Sequence, residues 1–198
     1  MKVQKVSSFK TTIQISLLFI FFASACAQPE KNNAAKINKT DAKSTEVKPK
    51  IDIHTAVIKG QLDVVKQHIK AGTDINQKEA MSSSTPLMSA ITFNKPEIVK
   101  ALIDAKANLS LKNNDGSTAL HTAAFFGRVK MVQMLLDAKA DKTIKNKFGA
   151  TPRETVAGDF AQMEPIYKML IQQLKPMGFV LDLEALKKAR PVVAKMLR

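Results

Sequence analysis

The stretch DGSTALHTAAFFG, Asp115 to Gly127, decides the fold. It reads as a turn, a short helix and a stop. Asp-Gly-Ser makes the turn, Thr118 offers a capping hydroxyl, and Gly127 ends the helix. Phe125 and Phe126 stand side by side just before the stop, and two adjacent residues cannot share one helix face. What two large rings do there depends on whether the segment stands alone or repeats.

It repeats. STPLMSAITFN from Ser84, STALHTAAFFG from Ser117 and ATPRETVAGDF from Ala150 align, with Thr85, Thr118 and Thr151 spaced 33 residues apart. A fainter copy, IDIHTAVIKG, starts at Ile51, and the stretch EAMSSS accommodates one extra residue between it and the next. The second halves align as well: QLDVVKQHIKAGTDIN from Gln61, KPEIVKALIDAKANLS from Lys95 and RVKMVQMLLDAKADKT from Arg128. Their apolar positions, such as Ile98, Val99, Leu102 and Ile103, follow the spacing of an amphipathic helix. Each copy is a turn, a short helix, a break at Gly60, Asn94 or Gly127, a second helix and a polar loop.

This period, with the tetrapeptides Thr85-Pro86-Leu87-Met88, Thr118-Ala119-Leu120-His121 and Thr151-Pro152-Arg153-Glu154, resembles the ankyrin repeat. The segments AGTDIN and AKADKT resemble the same family's loop. The expected fold is all-α: a solenoid of about four helix-turn-helix repeats with β-turn tips, covering about 50–81, 82–114, 115–147 and 148–175. The first copy lacks the threonine, the fourth has Arg153 and Glu154 in place of Leu and His, and Pro165 stands where its second helix should start. Terminal repeats depart from the pattern because one face meets solvent. Thr85, Thr118 and Thr151 are expected to cap first helices, and Pro86 and Pro152 suit a first helical position. The family pattern implies a scaffold role for His121 and His54, with His121 bonded back to the threonine.

The resemblance also implies a binding surface. In the family pattern the residues before the helix-ending glycine line the inner face. Here they are Phe125 and Phe126, one period back Thr92 and Phe93, and before those Ile58 and Lys59. Phe148 stands at the last turn tip. Exposed together, these rings would form an apolar patch, with Ser82, Ser83, Asn114, Asp115 and Lys147 as a polar rim, and such a patch marks an interaction site. The alternative is that one ring of the pair, Phe125, turns into the core, which leaves Phe126 and Phe148 as the foremost contacts.

The chain opens with Lys2, Lys5 and Lys10 and then an apolar run, TIQISLLFIFFASACA, short of the roughly 20 residues that span a bilayer. That is the pattern of an export signal, residues 1–25. The run ends in ASAC, which resembles the lipobox of bacterial lipoproteins and implies lipid on Cys26, the one cysteine; ordinary cleavage after Ala25 or Ala27 is the alternative. Residues 26–49 hold few apolar side chains and read as a disordered tether. Residues 176–198 leave the period. A helix is expected over 181–189 and a second short one from Pro191, together forming a cap on the last repeat or a basic tail.

The formal net charge is +14. With an export signal, scattered lysines and no Trp, the excess points to an acidic partner or an anionic surface rather than to nucleic acid. No phosphate loop, nucleophile elbow or metal-ligand spacing stands out, so neither enzyme activity nor a cofactor is expected. The expected function is protein binding by a monomeric module of the bacterial cell envelope, anchored in the membrane through lipid at Cys26 and facing the periplasm or cell surface. A soluble periplasmic or secreted protein, including an effector that binds host proteins, and a basic protein bridging to an anionic envelope surface are the alternatives.

Overall fold

The computed structural model describes residues 49–198, and Cys26 and the segments expected to be an export signal and a tether lie outside them, but for Pro49. Among the described residues the chain is helical, without a strand. Four short helices, α1 (Ile53–Ile58), α3 (Pro86–Thr92), α5 (Ala119–Phe125) and α7 (Glu154–Ala157), stack side by side in one rank. Longer helices α2 (Leu62–Lys70), α4 (Pro96–Asp104) and α6 (Val129–Asp137) form a second rank, each against its own short helix and its neighbour.

Local chemistry starts each short helix. Asp52 caps α1 by accepting from the Thr55 amide at 2.9 Å, and Thr85 caps α3 by accepting from Met88 N at 3.3 Å, with Pro86 in the first turn. Capping of this kind contributes about 1 kcal/mol. The first rank has neighbours on both sides, so α3 buries Pro86 through Ile91 without a break. The second rank buries one stripe only: Ile98, Val99 and Leu102 in α4, Met131, Val132 and Leu135 in α6. Each fully buried Leu or Ile contributes roughly 1.5–3 kcal/mol. Between the ranks the chain turns through the left-handed region at Gly60, Asn94 and Gly127, and asparagine tolerates that region better than other side chains.

The C-terminal quarter departs from the expected order. After α7 the chain forms α8 (Phe160–Leu174), a 3-10 turn (Lys175–Met177) and α9 (Leu183–Met196). It is α9, rather than α8, that packs against α6 and α7, as α6 packs against α4 and α5. The fourth pair is therefore α7 with α9, and residues 159–182 are inserted between its halves. The cause is local. Gly158 is extended, and Asp159 caps a new helix by accepting from Ala161 N at 3.0 Å, so α8 leaves in its own direction. The apolar stripe that completes the second rank is supplied later, by Val193 and Leu197.

Both prolines also sit differently from expectation. Pro165 lies inside α8, and Pro191 lies inside one continuous α9 instead of starting a second helix. A proline removes one helical hydrogen bond. The carbonyls freed by its missing donor belong to Ala161 and Lys187, both exposed residues, so neither is an unsatisfied group shut away from solvent.

Candidate functional site

The turn tips are built by a recurring side-chain device. Asn113 Oδ1 accepts from the amides of Asp115 and Ser117 at 3.0 and 2.9 Å. One period on, Asn146 Oδ1 accepts from Phe148 and Ala150, both at 3.0 Å. In the first tip Glu79 does the same work, accepting from Met81, Ser82 and Ser84. That tip closes from Glu79 N to Ser84 O, where the others close from Asn113 N to Ser117 O and from Asn146 N to Ala150 O. This is the extra residue in EAMSSS. Burial pushes the Glu79 carboxyl up in pKa, but the hydrogen bonds from Ser82, Ser84 and Met81 outweigh it and leave the group below its usual value.

Successive tips are tied into a row. Asn114 N donates to Ser82 O at 2.8 Å, Asn114 Nδ2 to Met81 O at 3.0 Å, and Lys147 N to Asp115 O at 2.9 Å. Behind them Lys78 Nζ reaches Lys112 O, and Lys112 Nζ reaches Lys145 O. The row is thus held by backbone groups and by the side chains of Lys78, Lys112 and Asn114, and other side chains of the tips are left to solvent. Met81 and Phe148 are each 77 % exposed there. Asn114, Asp115 and Lys147 are exposed beside them.

The histidines are scaffold. His121 Nδ1 accepts from Thr118 N at 3.2 Å, so Nε2 carries the proton and donates to Ala150 O at 3.0 Å, in the next repeat. Burial holds the imidazole below its ordinary pKa, partly offset by the Ala150 bond, and the Lys112 charge lowers it further. His54 Nε2 lies 2.8 Å from Gln77 O in the same manner. In the fourth repeat Glu154 stands in for histidine: its Oε2 accepts from Thr151 N at 2.7 Å. Among the described residues no cluster of His, Cys, Asp or Glu could hold a metal ion.

The phenylalanines separate into two groups. Phe93, Phe125 and Phe126 come together, but under the inserted segment instead of facing solvent. Phe126 is 8 % exposed. It meets Phe125 edge-on at 5.0 Å between centroids and Phe179 at 5.5 Å. Phe179 also reaches Phe93 at 6.1 Å, and Tyr167 lies 4.7 Å from Phe125. Leu181 and Leu186 complete this second core. The expected exposed patch at Phe93, Phe125 and Phe126 is therefore corrected: its rings would have been open, and residues 160–186 supply the apolar cover. Phe126, expected to be a foremost contact, is the more buried of the adjacent pair. Thr92 is half-buried and accepts from Arg128 Nη2 through its carbonyl at 3.3 Å, and Lys59 is exposed at the end of α1. Phe148 alone of these rings stays on the surface. Met81 was missed by sequence reasoning. Its signal was its place in the lengthened tip, one period from Asn114.

Comparison with known proteins agrees with this geometry. Residues 53–146 match the model described as ankyrin repeats (3 copies). Among curated proteins, protein phosphatase 1 regulatory subunit 27 of Homo sapiens is 38% identical over 64 residues, 32% of this chain and 41% of that protein. Its Mus musculus counterpart matches with the same figures. The chain thus spans less than half the length of these relatives. Among solved structures, the ankyrin repeat domain of Bcl-3, described as a unique member of the IkappaB protein family, superposes with a TM-score of 0.51 at 30% identity. That match covers 52% of this chain and 45% of the other. Two stacked ranks, capped tetrapeptides, tied turn tips and these matches together identify residues 53–146 as ankyrin repeats.

Proposed function

We propose that the chain is a non-catalytic binding module whose turn tips engage a partner protein, with Phe148 as the central contact. The observation that carries this reading is the 77 % exposure of Phe148 on a tip whose backbone is fixed by Asn146 and by the bond from Lys147 N to Asp115 O. A rigid exposed aromatic ring loses little conformational entropy on binding and buries a large apolar area. Met81, Asn114, Asp115 and Lys147 surround the contact. Lys59 and Thr92 are the remaining candidates along the first rank. The relatives named as regulatory subunits support a role exerted through binding.

The same reading places the module at a bacterial cell envelope, exported by residues 1–25 and held by lipid on Cys26 through the tether. Soluble periplasmic or secreted forms are the alternative if Cys26 carries no lipid. The mass of the mature protein from the membrane fraction, beside that of Cys26→Ala, separates these.

A photocrosslinking side chain at position 148, with position 66 on α2 as control, tests the tip. A discrete protein adduct from 148 alone, persisting at raised salt, supports the reading. Adducts from both positions, or none from 148, would sink it. An adduct that disappears with salt would favour a charge-driven contact with an acidic surface.

A further inference from the structure

The fourth repeat departs from its predecessors at the residues that shape a pocket. Leu87 and Leu120 are buried at the third position of the tetrapeptide. Arg153 replaces them and is exposed. Beside it, between α7, the start of α8 and the last turns of α9, lies an open pocket of about 440 Å³. Arg153, Lys187, Arg190, Lys195 and Arg198 line it, and no Asp or Glu side chain does. Three acids near it in sequence have hydrogen-bond or ion-pair partners of their own, although the Arg153 charge also acts on Glu154 and the Lys187 charge on Glu164. Glu154 accepts from Thr151 N, Asp159 caps Ala161, and Glu164 pairs with Lys168 at 2.7 Å.

Arg190 forms the floor. It is 4 % exposed, and its bonds go to neutral groups: Nη1 to Tyr167 Oη at 3.1 Å and Nη2 to Gly158 O at 2.8 Å. Its guanidinium and the Lys187 ammonium sit over the Phe160 ring at 5.8 and 5.9 Å. Five cationic side chains line one concavity with no Asp or Glu side chain in its wall. Such a site concentrates positive potential, and a bound anion relieves the mutual repulsion. The forked guanidinium groups of Arg153 and Arg198 suit an oxyanion with several acceptor oxygens better than a single carboxylate.

We propose that this pocket binds a phosphate group, as a free phosphate or as the phosphodiester of a headgroup. No residue of the Phe148 tip lines it, and it does not depend on that assignment.

The test is amide chemical-shift titration of the full chain in neutral maltoside micelles, with inorganic phosphate in one arm and glycerophosphoglycerol in the other. Saturable shifts centred on Gly158 and Arg190 are expected, and the tighter ligand identifies the source. Arg153→Gln with Lys195→Gln should weaken binding about tenfold or more. Both residues are exposed, so the fold should persist, as circular dichroism would verify. Lys66→Gln, on α2, should leave binding unchanged. Arg153→Lys, which keeps the charge and loses the fork, should weaken it less than Arg153→Gln. Absence of saturable shifts with both ligands overturns the proposal. So does equal weakening by Lys66→Gln, which would mean diffuse attraction to a basic chain.

Discussion

The hydroxyl of Tyr167 donates to the backbone carbonyl of Phe125 at 2.8 Å, joining the inserted helix α8 to the end of α5. The same oxygen accepts from Arg190 Nη1 at 3.1 Å. Tyr167 therefore links the third repeat, the insertion and the helix that completes the fourth. Tyr167→Phe keeps the ring and removes both bonds, leaving a buried guanidinium donor and a carbonyl without this partner. A loss of about 1–3 kcal/mol is expected, read as a lower denaturant midpoint with an unchanged slope. An unchanged midpoint would show that the link contributes nothing to stability.

Phe126 and Phe148 should behave oppositely. Phe126→Ala opens a cavity beneath Phe179 and should cost about 3–5 kcal/mol. Phe148→Ala removes an exposed ring and should change stability by less than about 0.5 kcal/mol, while abolishing the partner contact. Thermal unfolding of the two variants side by side checks the contrast, and equal destabilisation would contradict it.

Gly127 is needed for two reasons. Its φ is +61°, and a Cβ there would lie 2.6 Å from Leu186 Cδ1 and 3.2 Å from Ala189 Cβ. Asn94, at the same place one repeat earlier, shows that a side chain can adopt this conformation, so the crowding by α9 decides the outcome. Gly127→Ala should cost about 1–3 kcal/mol and should raise amide exchange in α9 before it does so in α4. Uniform exchange across both helices would argue against local undocking of α9.

Acid should weaken the fold through His121. Its folded pKa lies below the unfolded value, chiefly because it is buried. Above about pH 6.5 the imidazole is neutral in both states. As pH falls through that value the unfolded chain takes up the proton first, so stability falls until the folded group also titrates. His121→Met, which copies Met88 of the second repeat, should be less stable at neutral pH and show a flatter decline on acidification. Parallel pH profiles for the two proteins would remove His121 as the cause.

The repeat was legible in the sequence because its signals are local. Thr85 and Thr118 cap, Pro86 opens a first turn, Gly60 and Gly127 take the left-handed stop, and the apolar stripe of α4 recurs in α6. None of these needs a distant partner, and the spacing alone places them in register. Each turn at the tips follows for the same reason, since Asn113 and Asn146 fold their own loops.

The fate of the aromatic rings was not legible. Phe93 and Phe126 carry the pattern of an open inner face, and whether that face meets solvent depends on Phe179, which lies far along the chain at the end of the insertion. The pairing of α7 with α9 is equally non-local: α8 follows α7 directly and looks like its natural partner, but Asp159 turns it away, and Val193 and Leu197 fill the second rank. The basic pocket depends on both, because Arg153 and Arg190 meet only when α9 is docked. Periodicity and capping determined the repeats from the sequence. Long-range apolar burial, which any sufficiently apolar segment could have supplied, was decided by tertiary packing alone.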